Sequence, residues 1–245
     1  MTAAHIQRPI VGVCAVVVFM VVAYSTAFAA ANIEVEAVRD LIDGGKYTEA
    51  METATDLLTL DAGRGEILNA LGEAQFAVGD LDAAQASFER AYRLHDAPRL
   101  EAMQNLGALA RYRGNTQTAA QWFHRVVAHY NLHPDLASAE LAAVAASAKA
   151  LGDTKPDFYH DAVRIYGESA LADRDNVAAR VALGNLLLDK YNNTEALETF
   201  REALAIDDEY APALLGLARS QHFDHSGDAV ATLDKSLASN PNYVP

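Results

Sequence analysis

The sequence predicts an all-α solenoid built from helix hairpins, and three observations predict it. The first is a spacing that recurs. Leu71-Gly72 is followed by Ala84, Phe88 and Ala91, Leu106-Gly107 by Ala119 and Phe123, and Leu183-Gly184 by Ala196, Phe200 and Ala203. The step from Gly to Ala is 12 residues in all three copies. A fixed repeat decides architecture before any local argument, because a unit that cannot bury its apolar face alone must stack on its neighbours. The second is a set of breaks between helical stretches, Gly79-Asp80, Gly114-Asn115, Gly152-Asp153 and Gly227-Asp228. Glycine accepts the left-handed conformation that ends one helix, and Asp or Asn caps the next. The third is composition. Alanine is abundant and aromatics make up only 8% of the 245 residues, which suits close-packed helices more than sheets.

The chain opens on a targeting segment. Arg8 is the sole Lys or Arg before Arg39, Ile10 to Ala23 is an apolar run, and Ala27-Phe28-Ala29 has the small-x-small form that a signal peptidase reads. Residues 1–29 are therefore expected to be a signal peptide. The rival is an uncleaved membrane anchor, since Ile10–Ala31 carries only Ser25 and Thr26 as polar interruptions and is long enough to span. Either way the remainder faces outward across the membrane. The expected setting is the periplasm, free or anchored to the inner membrane. The one cysteine, Cys14, sits inside this run, so the expected folded part has neither a disulfide nor a thiolate metal site.

The repeat array is expected over 31–245, in copies near 31–64, 65–98, 100–133, 135–174, 177–208 and 209–241. The first keeps Gly45, Tyr47 and Ala50 but lacks the Leu-Gly pair. The fourth carries extra residues around Thr154–Tyr159, before Ala162 and Tyr166. The last has Leu215-Gly216, then Ala229 and Leu233. The stretch Asn240-Pro-Asn-Tyr-Val-Pro245 resembles the opening of a further repeat, much as Asp208-Glu-Tyr-Ala-Pro212 opens the previous one. No polar capping helix of the kind that closes solenoids is visible there. Either this end packs on something or the chain is the front of a longer protein.

These residues resemble the tetratricopeptide repeat, with its W-x2-L-G-x2-Y…A-x3-F…P pattern. The best copy runs from Val181 to Leu217. The resemblance implies a right-handed superhelical solenoid of about five such hairpins. It also implies packing roles for Leu71, Gly72, Ala84, Phe88, Leu106, Gly107, Ala119, Phe123, Leu183, Gly184, Ala196, Phe200 and Gly216. The small residues sit where helices cross, and each Phe fills a gap between neighbours. The sequence departs from the pattern where Leu68, Met103 and Arg180 stand for the first large aromatic, and Gln75, Ala110 and Leu187 for the second.

Little points to chemistry. His222, Asp224, His225 and Asp228 share one loop, and His124, His129 and His133 lie near one another. Such residue types suit a divalent metal, but a polar turn accounts for the first group, and Pro134 interrupts the second. No HExxH, GxSxG or phosphate-cradling loop occurs. Asp207-Asp208 read as a solvated helix end, and Trp122-Phe123 as packing between repeats. No catalytic residue, metal or cofactor is expected. A net charge of −14 repels nucleic acid and anionic lipid, and leaves the membrane to the N-terminal segment alone.

What remains is a surface. In arrays of this type the first helix of each pair lines the concave face. The candidate groove residues are Asn69, Glu73, Phe76, Gln104, Arg111, Tyr112, Asn185 and Asp189, with solvated helix surface as the plain alternative for each. The Lys/Asn/Arg arrangement with which some members clamp a C-terminal carboxylate is not present in order. The expected role is an exported, non-enzymatic scaffold that binds a protein or peptide segment in the envelope, in assembly or export machinery. The alternative is the N-terminal binding region of a larger secreted enzyme, for example a peptidase. Self-association through the uncapped Leu233–Val244 end is compatible with either.

Overall fold

The computed structural model describes residues 33–94, 99–133, 135–153 and 155–243. The segment read as signal peptide or anchor, with Arg8 and Cys14, lies outside the described residues, as do Pro134, Thr154 and Val244. Among the described residues no helix is long and apolar enough to cross a membrane. The chain divides into two units, Met1–Ala37 and Val38–Pro245. Of the first, residues 33–37 open a helix that runs to 43; the contacts and cavities described below lie in the second.

Among the described residues there are twelve helices and no strand. They are α1 (33–43), α2 (Tyr47–Leu60), α3 (Gly65–Ala77), α4 (Leu81–Arg93), α5 (Arg99–Tyr112), α6 (Thr116–Leu132), α7 (Ser138–Gly152), α8 (Asp157–Ala172), α9 (Val177–Asp189), α10 (Asn193–Ile206), α11 (Ala211–Phe223) and α12 (Ala229–Ser239). Each helix packs on the next along the chain from α2 to α12. The first helices also touch in series, α3 with α5, α5 with α7, α7 with α9 and α9 with α11. This is an all-α repeat solenoid. The twelve helices follow one another as six pairs, the first of them without Leu-Gly.

The links explain why the helices stop where they do. Asp80, Asn115 and Asp228 each accept a hydrogen bond from the backbone N–H three residues on, at 3.2, 3.4 and 2.9 Å. A cap of this kind is worth about 1 kcal/mol. Gly79 and Gly114, just before two of these caps, have φ of +82° and +78°, a region open to glycine but not to most side chains. The fifth pair has the same turn without the glycine. Tyr191, exposed, holds φ at +62° there. The expectation fails at Gly152-Asp153. Gly152 is the last residue of α7, and Asp153 keeps right-handed helical angles and caps nothing. The link is longer, α8 begins after Pro156, and the Asp153 carboxylate instead meets Arg111.

Phenylalanine against glycine is the repeated packing event. A Cβ placed on Gly72, Gly107 or Gly184 would fall within 3 Å of the ring of Phe88, Phe123 or Phe200, on the second helix of the same pair. Gly216, from the following pair, also lies close to the ring of Phe200. Each Phe also joins the next pair. Phe88 clusters with Leu106 and Leu109, Phe123 with Leu151, and Phe200 with Ala213. Ala84, Ala119 and Ala196 are buried beside them. In the fourth pair Tyr166 takes the Phe position, buried with Val144, Ile165 and Leu186. Trp122 is packing as expected, edge-on to Tyr92 with Arg125 over its face.

The end of the array differs from the expectation of an uncapped, sticky terminus. Asn240 Nδ2 donates to the Asp43 carbonyl at 2.7 Å, and Asn242 Nδ2 to the Gly45 carbonyl at 3.1 Å. Residues 240 and 242 thus pack on the α1–α2 turn of their own chain. Exposed apolar residues do remain on α12, namely Val230, Leu233 and Leu237.

Candidate functional site

The first helices of the pairs line two adjoining cavities. The first, about 410 Å³, is enclosed by α1, α3, α5, α7 and α9 together with Tyr166 and Tyr210. Its polar wall is acidic: Asp43, Glu73 and Glu101 face a single guanidinium, Arg39. Arg39 pairs with Glu101 at 3.4 Å, and Asn105 Nδ2 donates to Glu73 at 3.1 Å. The opposite wall is mostly alanine, including Ala139, Ala142, Ala146 and Ala182. Short side chains on α7 and α9 leave the space open.

Removal from bulk water raises all three carboxyls, since burial disfavours the charged form. Glu101 is pushed up to about 7, with Arg39 opposing and Glu73 adding repulsion. Asp43 also reaches about 7 although it keeps solvent access, because Glu73 and Asp40 add repulsion to the loss of water. Glu73 moves the same way, against Arg39 and the Asn105 hydrogen bond. Desolvation likewise raises the Tyr210 phenol, with repulsion from Asp43 next. The cavity is short of positive charge.

The second cavity, about 470 Å³, continues from the first through Gln104 and Ala146, which line both. It is floored by Phe76, Tyr112 and Phe123. Phe76 and Tyr112 meet edge to face at 5.2 Å, and the Tyr112 ring is 67% exposed. Arg111 and Lys149 stand on the rim, and neither is free. Arg111 pairs with Asp153 at 2.8 Å and Lys149 with Asp189 at 3.6 Å.

Most of the residues proposed from sequence therefore meet here. Glu73 and Gln104 line the acidic cavity, and Phe76, Gln104, Arg111 and Tyr112 line the aromatic one. Asn185 and Asp189 lie further along α9, where Arg219 binds both, at 3.1 and 3.5 Å. Asn69 is a correction. It is 1% exposed, and neither side-chain polar atom has a partner. One position on the helix face separates the inter-helix seam from the groove, and Asn69 falls in the seam.

The sequence reading missed Arg39, Asp43, Glu101, Asn105 and Tyr210. Glu101 had a signal, since it lies three residues before Gln104 on one helix face. Arg39 and Asp43, four apart on α1, had one too, but that pair lacks the Leu-Gly landmark that set the register. Among the described residues no three of His, Cys, Asp or Glu stand together as metal ligands, and the His222 and His225 rings are 6.3 Å apart.

The family model for the tetratricopeptide repeat matches residues 35–94, 69–134 and 157–212, more than half of the chain. The chain belongs to the tetratricopeptide repeat family. The stretch between the second and third matches, 135–156, holds α7, where alanines replace Leu-Gly. Among solved structures, the array is similar to a thermophilic tetratricopeptide repeat protein of Thermus thermophilus. The identity is 20% and the TM-score 0.57, over 72% of this chain and 92% of that one. It is also similar to a tetratricopeptide repeat protein of Parabacteroides merdae, at 14% identity and TM-score 0.53, over 85% and 78%. A third is a chain of the APC/C hetero-tetramer Cut9–Hcn1, at 17% identity and TM-score 0.56, over 87% of this chain and 41% of that one. At these identities the likeness concerns the fold. Comparison with curated proteins found no match.

Proposed function

We propose that this tetratricopeptide repeat protein is an exported scaffold that holds an extended segment of a partner protein along its concave face. One observation carries the reading: two cavities of contrasting chemistry adjoin at Gln104 and Ala146. An extended segment rises about 3.3 Å per residue, so neighbouring side chains of one segment can fill both. The acidic cavity favours Lys or Arg, and the aromatic floor an apolar side chain. A cation placed among Asp43, Glu73 and Glu101 supplies the charge they lack and holds them ionised. Its attraction weakens as salt rises where the site stays wet. Aromatic residues and Arg are the types that most often dominate interface affinity, which puts the weight on Tyr112 and Phe76. The export segment read in residues 1–29 sets this function in the cell envelope, as part of the proposal.

The test is capture of partners from an envelope extract by the chain lacking residues 1–29. A Tyr112→Ala variant and a Glu73→Gln/Glu101→Gln variant should each lose most of the captured protein, and capture should fall with added salt. Loss instead in an Arg201→Ala/Glu202→Ala variant on the exposed face of α10, with both concave variants unaffected, would move the site to the convex face.

A further inference from the structure

We propose that residues 240–242 form a latch on the α1–α2 turn, closing the array sideways around the acidic cavity, and that releasing it opens a lateral entrance. The inference rests on reading that cavity as the binding site, but its test needs no partner. Asp43 is the pivot. Its carbonyl accepts from Asn240, while its carboxylate lines the cavity near Tyr210. The cavity wall is therefore completed by the two ends of the array, Arg39, Ile42 and Asp43 on one side and Tyr210 on the other. Parting them splits that wall.

The seat is shaped for this contact. Asn240 is 1% exposed, and each polar end of its side chain is used. Nδ2 holds Asp43, and Oδ1 accepts from the Asn242 N–H at 2.9 Å, which folds the segment back. Gly45 sits at φ +71°, and a Cβ there would overlap Asn240 Oδ1. The joining bonds are side-chain amides on backbone carbonyls, a kind that water can replace. Such a contact can exchange between two states that a ligand then biases.

The experiment uses the full chain carrying Cys14→Ser, so that introduced thiols are the only ones. Gating is read with Ala182→Cys in the cavity, labelled by a bulky polyethylene-glycol maleimide, with N-ethylmaleimide as the small control. Two separate releases, Asn240→Ala/Asn242→Ala and Gly45→Ala, are compared with the parent once circular dichroism shows helix content unchanged. Opening a state that is populated at up to about 10% should raise bulky labelling about tenfold or more, with little change for the small reagent. Bulky labelling at the parent's rate in either folded variant would overturn the gate. Undiminished partner capture by the Glu73→Gln/Glu101→Gln variant, with labelling behaving as expected, would count against the binding site and leave the latch standing.

Discussion

Phe200 is the strongest single test of how the array is held together. Its side chain is fully buried, and two glycines lie against its ring, Gly184 from its own pair and Gly216 from the next. Removing a buried Phe ring costs about 3–5 kcal/mol, and more where surroundings cannot collapse into the hole. Two of the neighbours of Phe200 are glycines with no side chain to swing in, so Phe200→Ala should fall toward the upper end of that range, about 4–5 kcal/mol. Phe88 is the internal control. It meets one glycine, Gly72, and clusters with Leu106 and Leu109, which can lean into the gap. Phe88→Ala should therefore cost less, by about 1 kcal/mol. The complementary change is Gly216→Ala, whose added methyl has no room, at about 1–3 kcal/mol. Combined with Phe200→Leu, the pair should show coupling of at least about 0.5 kcal/mol. Urea titration followed by circular dichroism measures all of these, with the slope checked for a change in what unfolds. If Phe200→Ala costs under about 1 kcal/mol, or less than Phe88→Ala, the double glycine contact is not what carries the packing.

Three further outcomes follow from other sites. Tyr191→Gly should stabilise by about 1 kcal/mol, since Tyr191 holds a left-handed φ of +62° with its side chain 81% exposed; an unchanged urea midpoint would contradict this. Asn69→Leu should stabilise by roughly 1–3 kcal/mol, because it removes two buried polar atoms with no partner at little change of volume; a lower midpoint would show that Asn69 has a polar role. Stability should fall as pH rises from about 4 to about 7. Glu101 has a folded pKa of about 7, above its unfolded value near 4.3, so over that window the folded state holds the extra proton. The loss is on the order of 3 kcal/mol for Glu101 alone, and Asp43 contributes in the same direction. Urea midpoints at pH 5 and pH 8 should differ accordingly, and Glu101→Gln should shrink the gap.

The packing of this protein was legible in its sequence because it is periodic. Leu-Gly, Ala and Phe at constant spacing name both partners of each close contact, Gly72 with Phe88 and Gly184 with Phe200. Asp80, Asn115 and Asp228 were legible as caps for a similar reason, since a cap bonds within its own helix turn. Legibility ended where the contact is not local. Nothing at Asn240 announces that it will bind the Asp43 carbonyl, and the same Asn-Pro pattern reads as the start of another repeat. The groove was half legible. Polar residues off the packing stripe marked Glu73, Gln104 and Tyr112, but the alanines of α7 that make the cavity look like core in a sequence. Asn69 shows the limit of a helical wheel. It precedes Glu73 by one turn, yet the slight rotation between them turns one side chain into the seam and the other into the opening.

The bonds from Asn240 and Asn242 to the first turn also bear on how the molecule comes apart. A linear stack of repeats depends on neighbours only, so its outermost members fray first and melt ahead of the middle. Here the first turn and the last helix hold each other across 197 residues of chain. Backbone amides of α2 and α12 should exchange with solvent nearly as slowly as those of α7, and the unfolding transition should sharpen toward a single step. In refolding, that contact forms after the pairs between have stacked, because only then are its two halves neighbours. A protein caught before that moment is fully helical and still undone at one seam.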